Sequence, residues 1–192
     1  MEVLDLKALA EEAVRIHQQG DLAGAEKIYL QILNADPGLF GPRYYLGLMR
    51  LQQGRNAEAA TYLGEALQIS PDNLGALMNY GMALQGAGRS PEALEAFDKA
   101  LTIESNLPEA HYNRGVALAN MHRFEMAVEA YDRALVMRPE MISALINRGV
   151  AQSAMGQLDD ALASYDRVLT MQPGNVMALN NRGLALRAMR RL

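Results

Sequence analysis

Small, bulky and polar positions along the chain recur with a period of 34 residues. Gly47, Gly81, Gly115, Gly149 and Gly183 stand one period apart, with Ala13 in the same phase one step earlier. Ala25, Ala59, Ala93, Ala127 and Ala161 form a second series, and Tyr29, Leu63, Phe97, Tyr131 and Tyr165 a bulky third. Pro37, Pro71, Pro139 and Pro173 make a fourth, with Ser105 in the one place where proline is expected. Self-similarity at such a period marks a solenoid, whose units bury their apolar faces only by stacking on one another.

Each unit contains two helical segments. In the first, illustrated by 108–120, Ala110, His111, Gly115 and Leu118 recur at helical spacing. A break follows at Gly20, Gly54, Gly88, His122 and Gly156, where glycine suits a left-handed helix stop. The second segment opens most clearly at Ser90-Pro91-Glu92, which reads as cap, first helical residue and acidic first turn. Gly and Ala in register let the two helix axes of one repeat approach closely, and the bulky series is expected to fill the space between consecutive repeats. The pattern predicts repeats at 6–39, 40–73, 74–107, 108–141 and 142–175, then a partial sixth of one helix at 176–192. About eleven helices and no strand should result.

The succession of Leu-Gly or Arg-Gly, Ala, Tyr or Phe, Ala and Pro resembles the tetratricopeptide repeat. Asn147-Arg148-Gly149, Ala161, Tyr165, Val168 and Pro173 show it within one unit. The resemblance runs from about Leu6 to Leu192 and implies a single all-α array, a right-handed superhelical solenoid of helix-turn-helix repeats. It also implies a scaffold whose first helices line a concave groove that holds a protein or an extended peptide. Three departures bear on local packing: Arg50 where an apolar residue is usual, Ala13 for Gly, and His122 for the turn Gly. The sixth unit stops after its first helix, leaving Leu179, Leu186 and Met189 partly bare beside Arg182, Arg187, Arg190 and Arg191. Repeat arrays usually end in a polar capping helix, so the chain is expected to be part of a longer protein.

Helical phase assigns the groove. One series facing it is Ala10, Tyr44, Met78, Tyr112, Ile146 and Asn180, and four positions on lie Val14, Leu48, Met82, Val116, Val150 and Leu184. Tyr and Met make adaptable contact surfaces, although packing between repeats is an equal expectation for the second series. Asn79, Asn113, Asn147 and Asn181 share one phase, giving way to Tyr45 and Glu11 towards the N-terminus. Asn is a mediocre helix residue, so four in register call for a reason. An amide can satisfy both the N–H and the C=O of an extended backbone, and it can equally bridge two repeats. The row is similar to the asparagine ladder of O-linked N-acetylglucosamine transferases, which implies that such a peptide is gripped through its main chain. Arg114, Arg148 and Arg182 run beside it, with Tyr80 in phase. They could attract acidic peptides, but pairing with acidic residues of second helices such as Glu125, Asp159 and Asp160 is the stronger expectation. The carboxylate clamp of chaperone-binding tetratricopeptide proteins is disfavoured, because the starts of the first helices hold Gly41, Gly75, Glu109, Ser143 and Met177, with only Lys7 basic.

Composition narrows the function further. A net charge of -4 and a pI near 5.4 argue against a nucleic-acid surface. The absence of Cys removes disulfides and thiolate metal sites. The start Met1-Glu2-Val3-Leu4-Asp5-Leu6 is acidic where a signal peptide would be basic, and no apolar run suits a membrane span, so a cytoplasmic protein is expected. His17, His111 and His122 lack a second His at ligand spacing, and the acidic pair Asp159-Asp160 sits at a helix start favoured by the dipole. No catalytic residue, metal or cofactor is expected. A binding scaffold leads; the recognition part of a larger glycosyltransferase-like enzyme and a scaffold self-associating through its unfinished C-terminal repeat are the alternatives.

Overall fold

The structure, a computed structural model, describes residues 5–190; the first four residues of the acidic start, and Arg191 and Leu192 of the sixth repeat, lie outside the described residues. Eleven α-helices and no strand are present among the described residues. They are α1 (Leu6–Gln18), α2 (Leu22–Ala35), α3 (Phe40–Gln52), α4 (Asn56–Ile69), α5 (Leu74–Gly86), α6 (Ser90–Ile103), α7 (Pro108–Asn120), α8 (Phe124–Met137), α9 (Ile142–Ala154), α10 (Leu158–Met171) and α11 (Val176–Met189). The chain divides into two compact units, residues 1–89 and 90–192.

The turns explain the helix ends. Gly20, Gly54, Gly88 and Gly156 take φ of 88°, 70°, 76° and 76°, and His122 takes 58° in the same place. This left-handed residue lets the following N–H reach back to the last turn, as in Arg55 to the Arg50 carbonyl (2.8 Å) and Arg123 to the Leu118 carbonyl (2.9 Å). His122 therefore adopts the glycine conformation without being glycine. Asp5, Asp21, Asn73 and Asn175 cap α1, α2, α5 and α11 through their side chains. Pro108 opens α7, where its missing N–H leaves no bond unmade.

Within each unit consecutive helices pack on one another. First helices also touch their counterparts in the next repeat, α1 with α3 and α3 with α5 in one unit, α7 with α9 and α9 with α11 in the other. Second helices show no such contact among the described residues of either unit. Each unit is thus tighter on its first-helix side, which makes that side concave.

The glycine series has a steric cause. A Cβ added at Gly47 would lie 2.5 Å from Leu63 Cγ, and at Gly115 or Gly149 it would lie 2.5 Å from Cε1 of Tyr131 or Tyr165. The bulky residues thus serve first inside their own repeat, against its glycine, and not only between repeats as spacing alone suggests. Tyr131 also joins a core with Leu118, Leu145 and Val168 that reaches into the next repeat.

Arg50 and Gln152 break the apolar phase they share with Leu84 and Leu118, and each comes with a partner that breaks its own. Arg50 is 4% exposed and holds both carboxylate oxygens of Glu26, which stands in the phase of Ala60, Leu94, Val128 and Leu162. Its Nε lies 3.3 Å from Glu58 Oε2, without the alignment of a hydrogen bond. Gln152 accepts from Ser164 Oγ at 2.8 Å, and Ser164 replaces the alanine of Ala96 and Ala130. Buried polar groups persist because the exchange is double.

Candidate groove site

The first-helix side of each unit presents the predicted row of amides. In the N-terminal unit Asn79, on α5, donates through Nδ2 to Tyr44 Oη on α3 (3.2 Å) and to the Gly75 carbonyl (2.8 Å). Tyr44 is itself stacked on Phe40, with ring centroids 5.4 Å apart. In the C-terminal unit Asn147, on α9, donates through Nδ2 to Tyr112 Oη on α7 at 3.2 Å. These bonds tie each first helix to the one before it. They engage the amide nitrogen, through two bonds in Asn79 and one in Asn147, and neither uses the carbonyl Oδ1. For Asn181 the matching place is held by Ile146, which offers no hydroxyl. Asn113, Asn147 and Asn181 are all half-buried, and so is Asn79 in its own unit.

The other predicted residues divide. Met78, Tyr44 and Tyr112 are half-buried and Asn180 is exposed. Ile146 is 5% exposed and belongs to the core of its unit, so it offers a partner almost nothing. Of the series four positions on, Met82, Val150 and Leu184 are 39%, 45% and 46% exposed, more open than packing residues would be.

The arginine row is already occupied. Arg114 Nε donates to Asp98 (2.6 Å), Arg148 Nη1 to Asp132 (2.7 Å) and Arg182 Nε to Asp166 (2.5 Å), each on the preceding second helix. The partners are these aspartates and not Glu125, Asp159 or Asp160. Arg148 Nε also donates to Ser164 Oγ at 3.1 Å. With its charge met by carboxylates, the row holds α7, α9 and α11 in place and adds little net positive field to the groove. His111 also has a local role, with Nε2 3.0 Å from the Ser105 carbonyl.

Between these first helices lie two pockets that spacing alone did not reveal. One, about 240 Å³, opens between α7 and α9 over Phe124 and Tyr131 of α8; Val116, Asn147 and Val150 line its sides. The other, about 290 Å³, opens between α9 and α11 over Leu158 and Tyr165 of α10, with Val150, Asn181 and Leu184 at its sides. Burial and the neighbouring Tyr112 push the Tyr131 phenol up, against an opposing contribution from Asn147, so it remains an uncharged hydroxyl. Burial likewise raises the Tyr165 phenol, whose oxygen is 3.4 Å from Ser153 Oγ. The signal for these floors lay in Phe124 and Leu158, apolar like Leu22 in the same phase, where the second helices of the second and third repeats begin with Asn56 and Ser90. Shallow apolar floors with an amide at the rim suit side-chain capture beside a bonded main chain. Among the described residues, no three His, Asp or Glu side chains converge as metal ligands, and no helix is long and apolar enough to cross a membrane.

Three family models, each described as tetratricopeptide repeat, match residues 18–73, 50–113, and 108–141 with 142–175. The chain belongs to the tetratricopeptide repeat family. The crystal structure of YrrB, titled a TPR protein with an unusual peptide-binding site, is similar with a TM-score of 0.85 and 22% identity, covering 91% of this chain and 90% of that one. The crystal structure of MamA gives 0.82 and 22%, covering 86% and 90%. A tetratricopeptide repeat protein from Parabacteroides merdae gives 0.84 and 20%, covering 96% and 73%. At these identities the likeness concerns the fold. No curated protein matches the sequence.

Proposed function

We propose that the chain is a scaffold that binds an extended protein segment along the first helices of its repeats, gripping the main chain through the asparagine row. The observation that carries this reading is the Asn147 to Tyr112 bond: it fixes the amide by its nitrogen and turns its carbonyl oxygen into a preset acceptor for a backbone N–H. Asn79 is fixed in the same way in the other unit. Supporting it, the neighbouring arginines are paired within the chain, so affinity would not depend on acidic cargo. The peptide-binding site named for YrrB is consistent with such a use of the fold.

The test is the double variant Asn147→Ala/Asn181→Ala. A typical hydrogen bond contributes about 0.5–1.5 kcal/mol net, so the pair should weaken a bound peptide by about 1–3 kcal/mol, roughly five- to 150-fold. Because main-chain bonds are lost, peptides of unrelated sequence should lose similar amounts. Tyr112→Phe separates the roles: it removes the bridge between repeats but leaves the Asn147 carbonyl. If the double variant melts early while binding per folded molecule is unchanged, the asparagines only hold repeats together.

A second reading has its own observation. Gly183 occupies the phase of Gly115 and Gly149, yet a Cβ there would meet nothing within 4 Å among the described residues. Beside it Val176, Met177, Leu179 and Leu184 are exposed. Self-association through this face of α11 would cover an apolar surface of this kind.

A further inference from the structure

The two pockets of the C-terminal unit have a counterpart in the N-terminal unit, and there the chain fills it with its own rings. Val14, Leu22 and Tyr29 stand in the phases of Val116, Phe124 and Tyr131, and one period further on come Val150, Leu158 and Tyr165. The first three belong to one apolar cluster, which also takes in Tyr45. Tyr45 stands where the open pockets have Asn147 and Asn181. Its ring lies flat on Tyr29, with centroids 5.6 Å apart and planes 7° apart. His17, where the open pockets have Ala119 and Ser153, meets these two rings edge-on at 6.2 and 6.3 Å. Aromatic rings attract in such stacked and edge-on arrangements at centroid distances of about 4.5–7 Å. Hydrogen bonding does not hold the stack, because Tyr29 Oη is buried without a partner among the described residues.

The open pockets are what this arrangement becomes when the two rings are exchanged for small side chains. Tyr131 and Tyr165 remain in the floors, while Ala119 and Ser153 line the space that the imidazole takes up in the other unit. Tyr112 meets Tyr131 at 6.0 Å, tilted by 41°, and leaves the pocket open. At about 240 and 290 Å³ each pocket falls below the roughly 300–1,000 Å³ of clefts that enclose drug-sized ligands, so one side chain apiece is what they suit. No charged side chain lines either pocket, and Arg114, Arg148 and Arg182 nearby are held by aspartates. A charge placed there would lose water without gaining a counter-charge. An uncharged ring meets the limits of size and charge and finds the kind of floor that Tyr45 already uses.

We propose that each open pocket takes an uncharged aromatic side chain, Phe or Tyr, from the bound protein segment, stacked on Tyr131 or Tyr165 as Tyr45 is stacked on Tyr29. This inference rests on the peptide-binding reading above and adds the class of side chain that the segment must carry.

The test uses the full chain and has two parts. The first dispenses with a peptide main chain. p-Cresol, the tyrosine side chain alone, is titrated against its saturated counterpart methylcyclohexanol while the methyl resonances of Val150, which lines both pockets, are followed by NMR. p-Cresol should shift them saturably through its ring current and bind at least about twofold more tightly than methylcyclohexanol. Ala119→Leu/Ser153→Leu, which fills both pockets without touching the asparagine row, should remove the shift. Should that variant fold poorly, the Val150 shift in the parent chain still locates the ring. The second part measures fluorescence anisotropy with capped, labelled peptides of Ser, Thr and Gln that carry one Phe or one cyclohexylalanine. The Phe peptide should bind about two- to twelvefold more tightly, which is what an aromatic pair contributes beyond its buried area. Ala119→Leu/Ser153→Leu should erase this preference, whereas Asn147→Ala/Asn181→Ala should weaken both peptides alike and preserve it. Equal affinity for the two peptides, with no Val150 shift from p-cresol, overturns the aromatic inference and leaves the main-chain grip standing. p-Cresol seated in the pockets while neither peptide binds overturns the main-chain grip and upholds the pockets' choice of a ring. A preference that survives filling of both pockets puts the ring elsewhere and overturns the inference.

Discussion

Gly115 and Gly183 share one phase of the repeat but face opposite surroundings, so the same substitution should have opposite signs at the two sites. In Gly115→Ala the new methyl would stand 2.5, 2.7 and 3.0 Å from three ring atoms of Tyr131, a side chain 1% exposed and enclosed by α7, α8 and α9. Ring atoms in a packed core cannot swing aside as the tip of a flexible chain could. Overpacking costs about 1–3 kcal/mol, and replacing Gly by Ala in a helix returns about 0.8–1.0 kcal/mol. With three close contacts the cost should sit in the upper part of its range, leaving a net loss of about 1–2 kcal/mol. For a chain of this length that lowers the melting temperature by roughly 2–8 °C. At Gly183 only the helix gain remains, so Gly183→Ala should stabilise α11 by up to about 1 kcal/mol. Urea titration measures the first through a lower midpoint at unchanged slope, and amide hydrogen exchange along α11 measures the second, because a terminal helix opens locally. A Gly115→Ala variant as stable as the parent would refute the close-approach account of the glycine series. Slower folding or faster exchange in Gly183→Ala would show that its face is covered.

Arg50→Leu should destabilise by about 1–3 kcal/mol, less than for a fully buried pair because Glu26 is 29% exposed. Adding Glu26→Ala recreates the Leu84 and Ala60 chemistry of other repeats and should restore most of the loss in urea titration. The Arg50 guanidinium holds the Glu26 carboxyl below its ordinary value of 4.5. Its stabilisation is therefore complete above about that pH and lost as pH falls through the lowered value. The parent's melting temperature should drop more steeply than that of Arg50→Leu/Glu26→Ala below pH 4.5, and parallel curves would deny the pair this role. Light scattering over a concentration series tests the α11 face: mass should rise with concentration and fall back in Leu184→Lys, and a constant monomer mass would remove the self-association reading.

The helices were legible because the period is written in residues whose reasons are steric. Gly at 20, 54, 88 and 156 fixes the turns, and Gly at 47, 115 and 149 fixes where second helices press in. The ion pairs were less legible, although the information was present. Asp98, Asp132 and Asp166 form a 34-residue series of their own on the face towards Arg114, Arg148 and Arg182. Attention to acidic residues near helix starts pointed instead to Glu125, Asp159 and Asp160. Arg50 looked like a defect until Glu26 was seen to depart from its phase in the same direction.

The groove was the hardest part to read, for a reason inherent in repeats. A duplicated unit copies its packing residues and its contact residues with equal fidelity, so register alone cannot separate them. Ile146 and Tyr112 share a phase, yet one is in the core and the other is half-buried at the rim. What separates the roles is departure from the period. Tyr44 and Tyr112 give Asn79 and Asn147 a hydroxyl to hold, whereas Met78 and Ile146 give none to the amides one period after them. If the asparagines existed only to bridge successive first helices, Asn181 would stand half-buried opposite Ile146, which offers no hydroxyl where Tyr44 and Tyr112 offer one. An amide kept where the bridging tyrosine has become apolar can be replaced without breaking that bridge, and that makes Asn181 the most diagnostic member of the row for contact with a bound peptide.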